Sequence, residues 1–289
     1  MPRRRDVLRV VGVTAAGGLA TALAGCSGQS SSDASGGRLN RWAYDPGTQG
    51  EDWQAYNVRY HEPATLSRNR MYLTEEQQQR LFSTIQWAAF GDLDYVLTVG
   101  ADSGTGSYPV SNAIEGSFGV GDVRRGLADG STRVGTVAGR ELYAARPGTF
   151  YAVDHGELVF VQNTDQGWVE AYLRDSDRSF VAESVALGRV IDAVGVGAAT
   201  RVILTGDGVG GHSYHIDGPT TTVRATRPSS MPSARRRQFE RRVSELGAEL
   251  GYPDAATVAY ERDSVFLELR METREAPIGR DPFPLVEER

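Results

Sequence analysis

Two stretches of this chain repeat one pattern, and that repetition constrains the fold more than any single motif. Tyr95-Val96-Leu97-Thr98-Val99-Gly100 aligns with Arg201-Val202-Ile203-Leu204-Thr205-Gly206, and Ser107-Tyr108 aligns with Ser213-Tyr214 in the same register. Shifted by one position, Asp154-His155-Gly156-Glu157-Leu158-Val159-Phe160 aligns with Glu261-Arg262-Asp263-Ser264-Val265-Phe266-Leu267. Strand type and turn position recur together. The pattern predicts a duplicated α-β-β-α-β-β unit, that is, an α+β fold of two related helix-plus-antiparallel-sheet units in tandem, over residues 38–178 and 179–276.

Local signals fill in the units. Thr74-Glu75-Glu76-Gln77 fits a capping box that opens a helix burying Leu81, Ile85 and Ala88. Strands are expected at 94–100, 132–137, 140–145, 149–154 and 157–162, with His155-Gly156 as a two-residue hairpin turn. Helices are expected at 120–127, 165–173 and 183–194, the last with Leu187, Val190, Ile191 and Val194 on its apolar stripe. Further strands fall at 200–205, 213–216, 220–226, 257–261 and 264–271. A longer helix capped by Ser233 carries Phe239, Val243, Leu246 and Leu250 on one face and stops at Gly251. Residues 277–289, with three prolines and many charges, read as an irregular tail.

The amino terminus speaks to location. Arg4-Arg5-x-Val7-Leu8 resembles a twin-arginine export signal, and Leu23-Ala24-Gly25-Cys26 resembles a lipobox. The apolar run between them is about fifteen residues, short of the roughly twenty that span a bilayer, so it reads as a removable signal. These likenesses imply a signal peptide over 1–25, a lipidated Cys26, and a flexible Ser/Gly linker through residue 37. The expected location is the cell membrane, facing outside, with the lipid on Cys26 as the membrane partner. Cys26 is the only cysteine, which excludes an intrachain disulfide framework and any thiolate metal cluster.

Removal of the signal takes four arginines and one aspartate and turns a net charge of −6 into −9. Every basic side chain other than histidine is arginine; lysine is absent. An acidic surface argues against nonspecific nucleic-acid binding. With Glu115-Gly116-Ser117-Phe118, Gly139-Arg140-Glu141-Leu142-Tyr143 and the Tyr151–Phe160 hairpin, the chain resembles an uncharacterised family of twin-arginine-exported lipoproteins of halophilic archaea. Those motifs describe turns and packing, so the resemblance implies a fold and transfers no catalytic residue.

Four features invite a chemical reading. His212 and His215, flanked by Asp207 and Asp217, suggest a metal, but on a strand they point to opposite faces. Gly206-Asp207-Gly208-Val209-Gly210-Gly211 satisfies a dinucleotide fingerprint without the helix that fingerprint needs. Ser103 with His155 and Asp154 can be drawn as a triad, although the last two share one turn and the strand-turn-helix of a nucleophile elbow is missing. Arg235, Arg236, Arg237, Arg241 and Arg242 form one basic run, with Arg236–Glu240 and Arg241–Glu245 spaced for local pairing. No catalytic, cofactor or metal residue is therefore assigned. The leading expectation is a non-enzymatic, lipid-anchored binding or interaction module with a protein or small-molecule partner; an envelope hydrolase and a solute-capturing lipoprotein are the alternatives.

Overall fold

The segment Ala55–His61 decides the architecture. Tyr56, Val58 and Tyr60 are buried while Asn57 is half-buried and Arg59 exposed, the period-two pattern of a strand with one face in a core. This strand, β1, has antiparallel partners on both edges, β2 (Leu93–Asp102) and β8 (Ala199–Thr205). Beyond β2 lie β3 (Ser107–Gly116), β7 (Glu157–Gln162), β6 (Thr149–Asp154), β5 (Arg140–Ala144) and β4 (Thr132–Val137). Beyond β8 lie β9 (Gly208–Asp217), β10 (Thr220–Pro228), β12 (Ser264–Glu272) and β11 (Ala256–Glu261). The result is one twelve-stranded sheet in which every neighbouring pair is antiparallel. This computed structural model describes residues 39, 41–44, 55–82, 90–102, 107–127, 131–174, 184–206, 208–251, 255–261 and 263–287.

The expected pair of tandem helix-plus-sheet units is thereby overturned. The edges that would have closed each unit separately both bond to β1, a strand the repeat pattern does not include. An open sheet edge presents unpaired backbone groups, and sharing β1 removes two such edges at once. The sequence alignment pairs Val96 with Val202, yet Val58 of β1 faces Val99 on one side and Val202 on the other. The order outward from β1 differs as well: β7 pairs directly with β3, whereas β10 stands between β9 and the returning β11–β12 hairpin. The expected strands, to which the structure adds β1 and β3, and the turn at His155-Gly156, where Gly156 has φ 73°, agree with the sequence reading. Their arrangement does not.

Helices α1 (Pro63–Arg68), α2 (Glu75–Phe82), α3 (Val120–Gly126), α4 (Gln166–Arg174), α5 (Val185–Val194), α6 (Ser233–Glu249) and α7 (Pro284–Glu287) accompany the sheet. On the face of Tyr56, here the first face, Tyr172 and Leu173 of α4, Leu187 and Val190 of α5, and the Trp42–Tyr44 segment share one core with β1, β2 and β8. Tyr172 bonds through its hydroxyl to Ser111 at 2.8 Å and donates to the Trp42 carbonyl at 2.8 Å, so this aromatic cluster is satisfied as well as packed. On the second face, Phe239, Val243 and Leu246 of α6 pack on β10 and β12, and Phe118 and Val123 cover Val96, Ile114 and Leu158.

The capping box at Thr74 forms as expected: the Thr74 N–H donates to Gln77 Oε1 at 2.6 Å and the Gln77 N–H donates to Thr74 Oγ1 at 3.2 Å. The Gln77 amide also donates to the carbonyls of Thr273 at 3.0 Å and Ala276 at 2.7 Å, which fastens α2 to the carboxy-terminal segment. Ile278, Phe283 and Val286 are buried in the core under α6. Ile85 and Ala88 lie outside the described residues. Ser233 is the first residue of α6 rather than its cap, and Pro232 in the capping place offers no side-chain acceptor.

Candidate functional site

Register across the sheet brings distant residues into one row on the second face. Starting in β9, His212 faces Arg201 of β8; Arg201 faces Arg59 of β1; Arg59 faces Thr98 of β2; Thr98 faces Asn112 of β3. The row continues to Phe160 of β7, whose ring stacks on Tyr151 of β6 at 4.7 Å and 17°. Adjacent strands are roughly 4.8 Å apart, so the histidine and the two arginines fall within about 10 Å. One row toward the His61 end, Val96, Ile114 and Leu158 are buried under Phe118 and Val123. The arginine row lies where that apolar cover stops.

The row is a concentration of positive charge with no ion-pair partner among the described residues. Arg59 is exposed and makes no ion pair or hydrogen bond with the described residues. Arg201 is half-buried and donates from Nε at 3.1 Å and from Nη2 at 2.9 Å to the side-chain oxygen of Asn57, a neutral acceptor. Burial first, and Arg59 second, push the Arg201 guanidinium below its ordinary pKa, and Asp281 opposes them. Like charges directly opposite on paired strands destabilise a sheet. His212 is 5% exposed, and its Nε2 is buried without a hydrogen-bond partner. Burial lowers its pKa to about 4, with Asp281 opposing and Arg201 adding to the effect, so the ring is neutral near neutral pH. His61, two residues along β1 from Arg59, is likewise lowered to about 4 by burial and then by Arg59.

The first face handles an equivalent problem in the opposite way. Glu115 and Glu157 face each other across β3 and β7. Arg41 Nη1 is 3.7 Å from Glu115 and 3.0 Å from Glu157, and Arg140 Nε donates to Glu157. The Tyr95 hydroxyl donates to Glu115 at 2.7 Å, and both guanidinium groups lie over the Trp42 ring, at 4.7 and 5.4 Å. That like-charge pair is neutralised inside the protein and reads as structure. Among the described residues Arg59 and Arg201 have no such ion-pair partner.

The residues singled out in the sequence are placed as follows. Arg4, Arg5, Cys26, Ser103 and Asp207 lie outside the described residues. Asp154 and His155 are exposed in the hairpin turn, where Asp154 Oδ1 accepts the His155 N–H at 2.7 Å. His212 and His215 take opposite faces, and His215 Nε2 lies 2.9 Å from Ser213 Oγ and 3.1 Å from the Val194 carbonyl. The glycines at 208, 210 and 211 belong to β9, not to a helix start. At Gly211 a side chain would meet Val190 of α5 at 2.9 Å and the Arg201 carbonyl at 2.8 Å, so this glycine serves helix–sheet packing. The spacing-based pairs Arg236–Glu240 and Arg241–Glu245 do not form. Arg236 donates to the Met231 carbonyl at 3.1 Å and lies over Tyr260, and Arg242 donates to the Glu287 carbonyl at 2.8 Å. Among the described residues no three His, Cys, Asp or Glu side chains gather as metal ligands, and no helix is long and apolar enough to cross a membrane. The sequence reading missed Arg59, whose signal was the alternation of Tyr56, Val58 and Tyr60 with polar residues.

No protein-family model and no curated protein matches the chain. Among solved structures, crystal form III of TP0453 is similar, with a TM-score of 0.50 and 11% identity over 81% of this chain and 93% of that one. Crystal forms I and IV of TP0453 follow at a TM-score of 0.46 and 11% identity, covering 81% and 82% of this chain and 92% and 96% of theirs. At such identity the likeness to crystal form III concerns the fold alone.

Proposed function

We propose that this chain is a lipid-anchored, extracytoplasmic binding or interaction module of the cell envelope, without catalytic activity of its own. The observation that carries the binding part is the exposed Arg59 opposite the half-buried Arg201 on the second face. Holding such a repulsive pair within a folded sheet costs stability, and a binding role accounts for that cost. The anchoring part is supported by Leu23-Ala24-Gly25-Cys26 with its Ser/Gly spacer, and the export route by Arg4-Arg5. The lysine-free, acidic composition supports membership of the halophilic archaeal lipoprotein family named above.

Replacing Cys26 with Ser tests the anchor. The substituted protein is expected in the medium, still exported, because no other segment of the reading holds it to the membrane. Retention of Cys26→Ser in the membrane fraction through high-salt washes contradicts the lipid tether.

A further inference from the structure

We propose that Arg59, Arg201 and His212 form a binding site for an oxyanion, a phosphate or carboxylate group on a ligand that approaches the second face. The inference deepens the binding-module reading and rests on it. Three independent observations converge. Register places the three side chains side by side on one face of three consecutive strands. The two guanidinium groups have no carboxylate within ion-pair distance among the described residues, while Arg201 is held in place by the neutral oxygen of Asn57. His212 is buried beside them with Nε2 unpartnered, and a buried polar atom without a partner is costly unless something supplies one.

An oxyanion answers all three. It neutralises the Arg59–Arg201 repulsion, accepts charge-assisted hydrogen bonds from both forks, and accepts one from His212 when the ring carries its proton on Nε2. Arginine suits the task because its planar fork matches the geometry of phosphate and carboxylate oxygens. Asp281 is the carboxylate whose charge reaches Arg201 and His212. Its Oδ1 accepts the Phe283 N–H at 3.0 Å, which fixes the carboxylate in a turn at the border of the site, and beyond ion-pair distance it offsets only part of the positive charge. Outward along the row the ligand meets the bonded pair Thr98–Asn112, at 2.8 Å, and then the Phe160–Tyr151 stack. The remainder of an oxyanion-bearing molecule lies along that path.

The test titrates the full chain, held in solution by detergent, with inorganic phosphate and separately with acetate at constant ionic strength set by chloride. Calorimetry gives affinity, and the imidazole signals of His212 report the site. Saturable binding of at least one anion, with a shift of the His212 signals, is expected. Arg59→Gln, at an exposed position where the fold is not at risk, weakens that binding about tenfold or more. Arg201→Lys keeps a charge but loses the fork, and weakens it too. Arg235→Gln, on the exposed side of α6, leaves it unchanged. Preference for phosphate or for acetate identifies the head group. The proposal is overturned if neither anion saturates, if Arg59→Gln binds as the parent does, or if Arg235→Gln loses as much. Such a result leaves the lipid tether standing, because the tether is judged separately by the fate of Cys26→Ser.

Discussion

Arg59 of β1 and Arg201 of β8 face each other across the centre of the sheet, and among the described residues no carboxylate comes within ion-pair distance of either. The relationship gains weight from its contrast with Glu115 and Glu157, the like-charge pair on the opposite face, which Arg41 and Arg140 neutralise. The same fold contains one like-charge pair closed by its own side chains and one left open. Position decides which is which. The glutamates lie under the Trp42 segment, where an unpaired charge is prohibitively costly, and Arg59 lies in solvent, where it is affordable.

Closing the first-face pair holds the core together. Arg140 and Glu157 expose only 9% and 11% of their side chains. Glu157→Gln leaves the Arg140 charge without its counter-ion and is expected to lower unfolding free energy by about 3 kcal/mol. Urea titration checks this as a lower midpoint with unchanged slope. A loss below about 1 kcal/mol shows that the network is looser than its geometry.

Acid sensitivity follows from the buried histidine. The His212 pKa falls from 6.5 to about 4 on folding, because burial disfavours the charged ring. The unfolded chain therefore binds more protons than the folded one between those values. The stability this neutral histidine contributes is fully present above pH 6.5 and is lost as pH falls toward 4, by about 3 kcal/mol. Unfolding midpoints measured at pH 7 and pH 4.5 should differ less in His212→Gln than in the parent. Equal pH dependence in the two proteins rules out His212 as a source.

Export supplies a separate prediction. Changing Arg4 and Arg5 together to Gln is expected to leave an unprocessed precursor inside the cell, detected by its size and its fractionation with cytosolic markers. Undiminished export of the double variant removes the twin-arginine route and leaves the lipid anchor to be judged on its own.

Much of the local structure was legible in the chain, and most of the topology was not. The hairpin at His155-Gly156, the Thr74 capping box and the apolar stripe of α5 depend on neighbours within a few residues, so residue type and spacing suffice. β3 escaped notice because Pro109 interrupts it, and a proline argues against a central strand. Pro109 falls at an irregularity between the Gly100–Val110 and Asp102–Ser107 pairs, where no ladder hydrogen bond is asked of it. The start of β9 was hidden by its glycines, of which Gly211 admits α5. The site was illegible for a different reason. Arg59, Arg201 and His212 come from three strands, and only their register joins them. A slip of one residue in β1 would send Arg59 to the first face.

The unfolding free energy of Arg59→Glu tests the central claim most directly. If Arg59 is an uncompensated charge kept for an outside anion, reversing it exchanges repulsion for attraction across β1 and β8. The variant is then expected to be more stable than the parent by roughly 0.5–1 kcal/mol at low salt, with the gain shrinking as salt is raised, while phosphate and acetate binding are lost. A variant that is less stable than the parent, or that still binds the anion, contradicts the account.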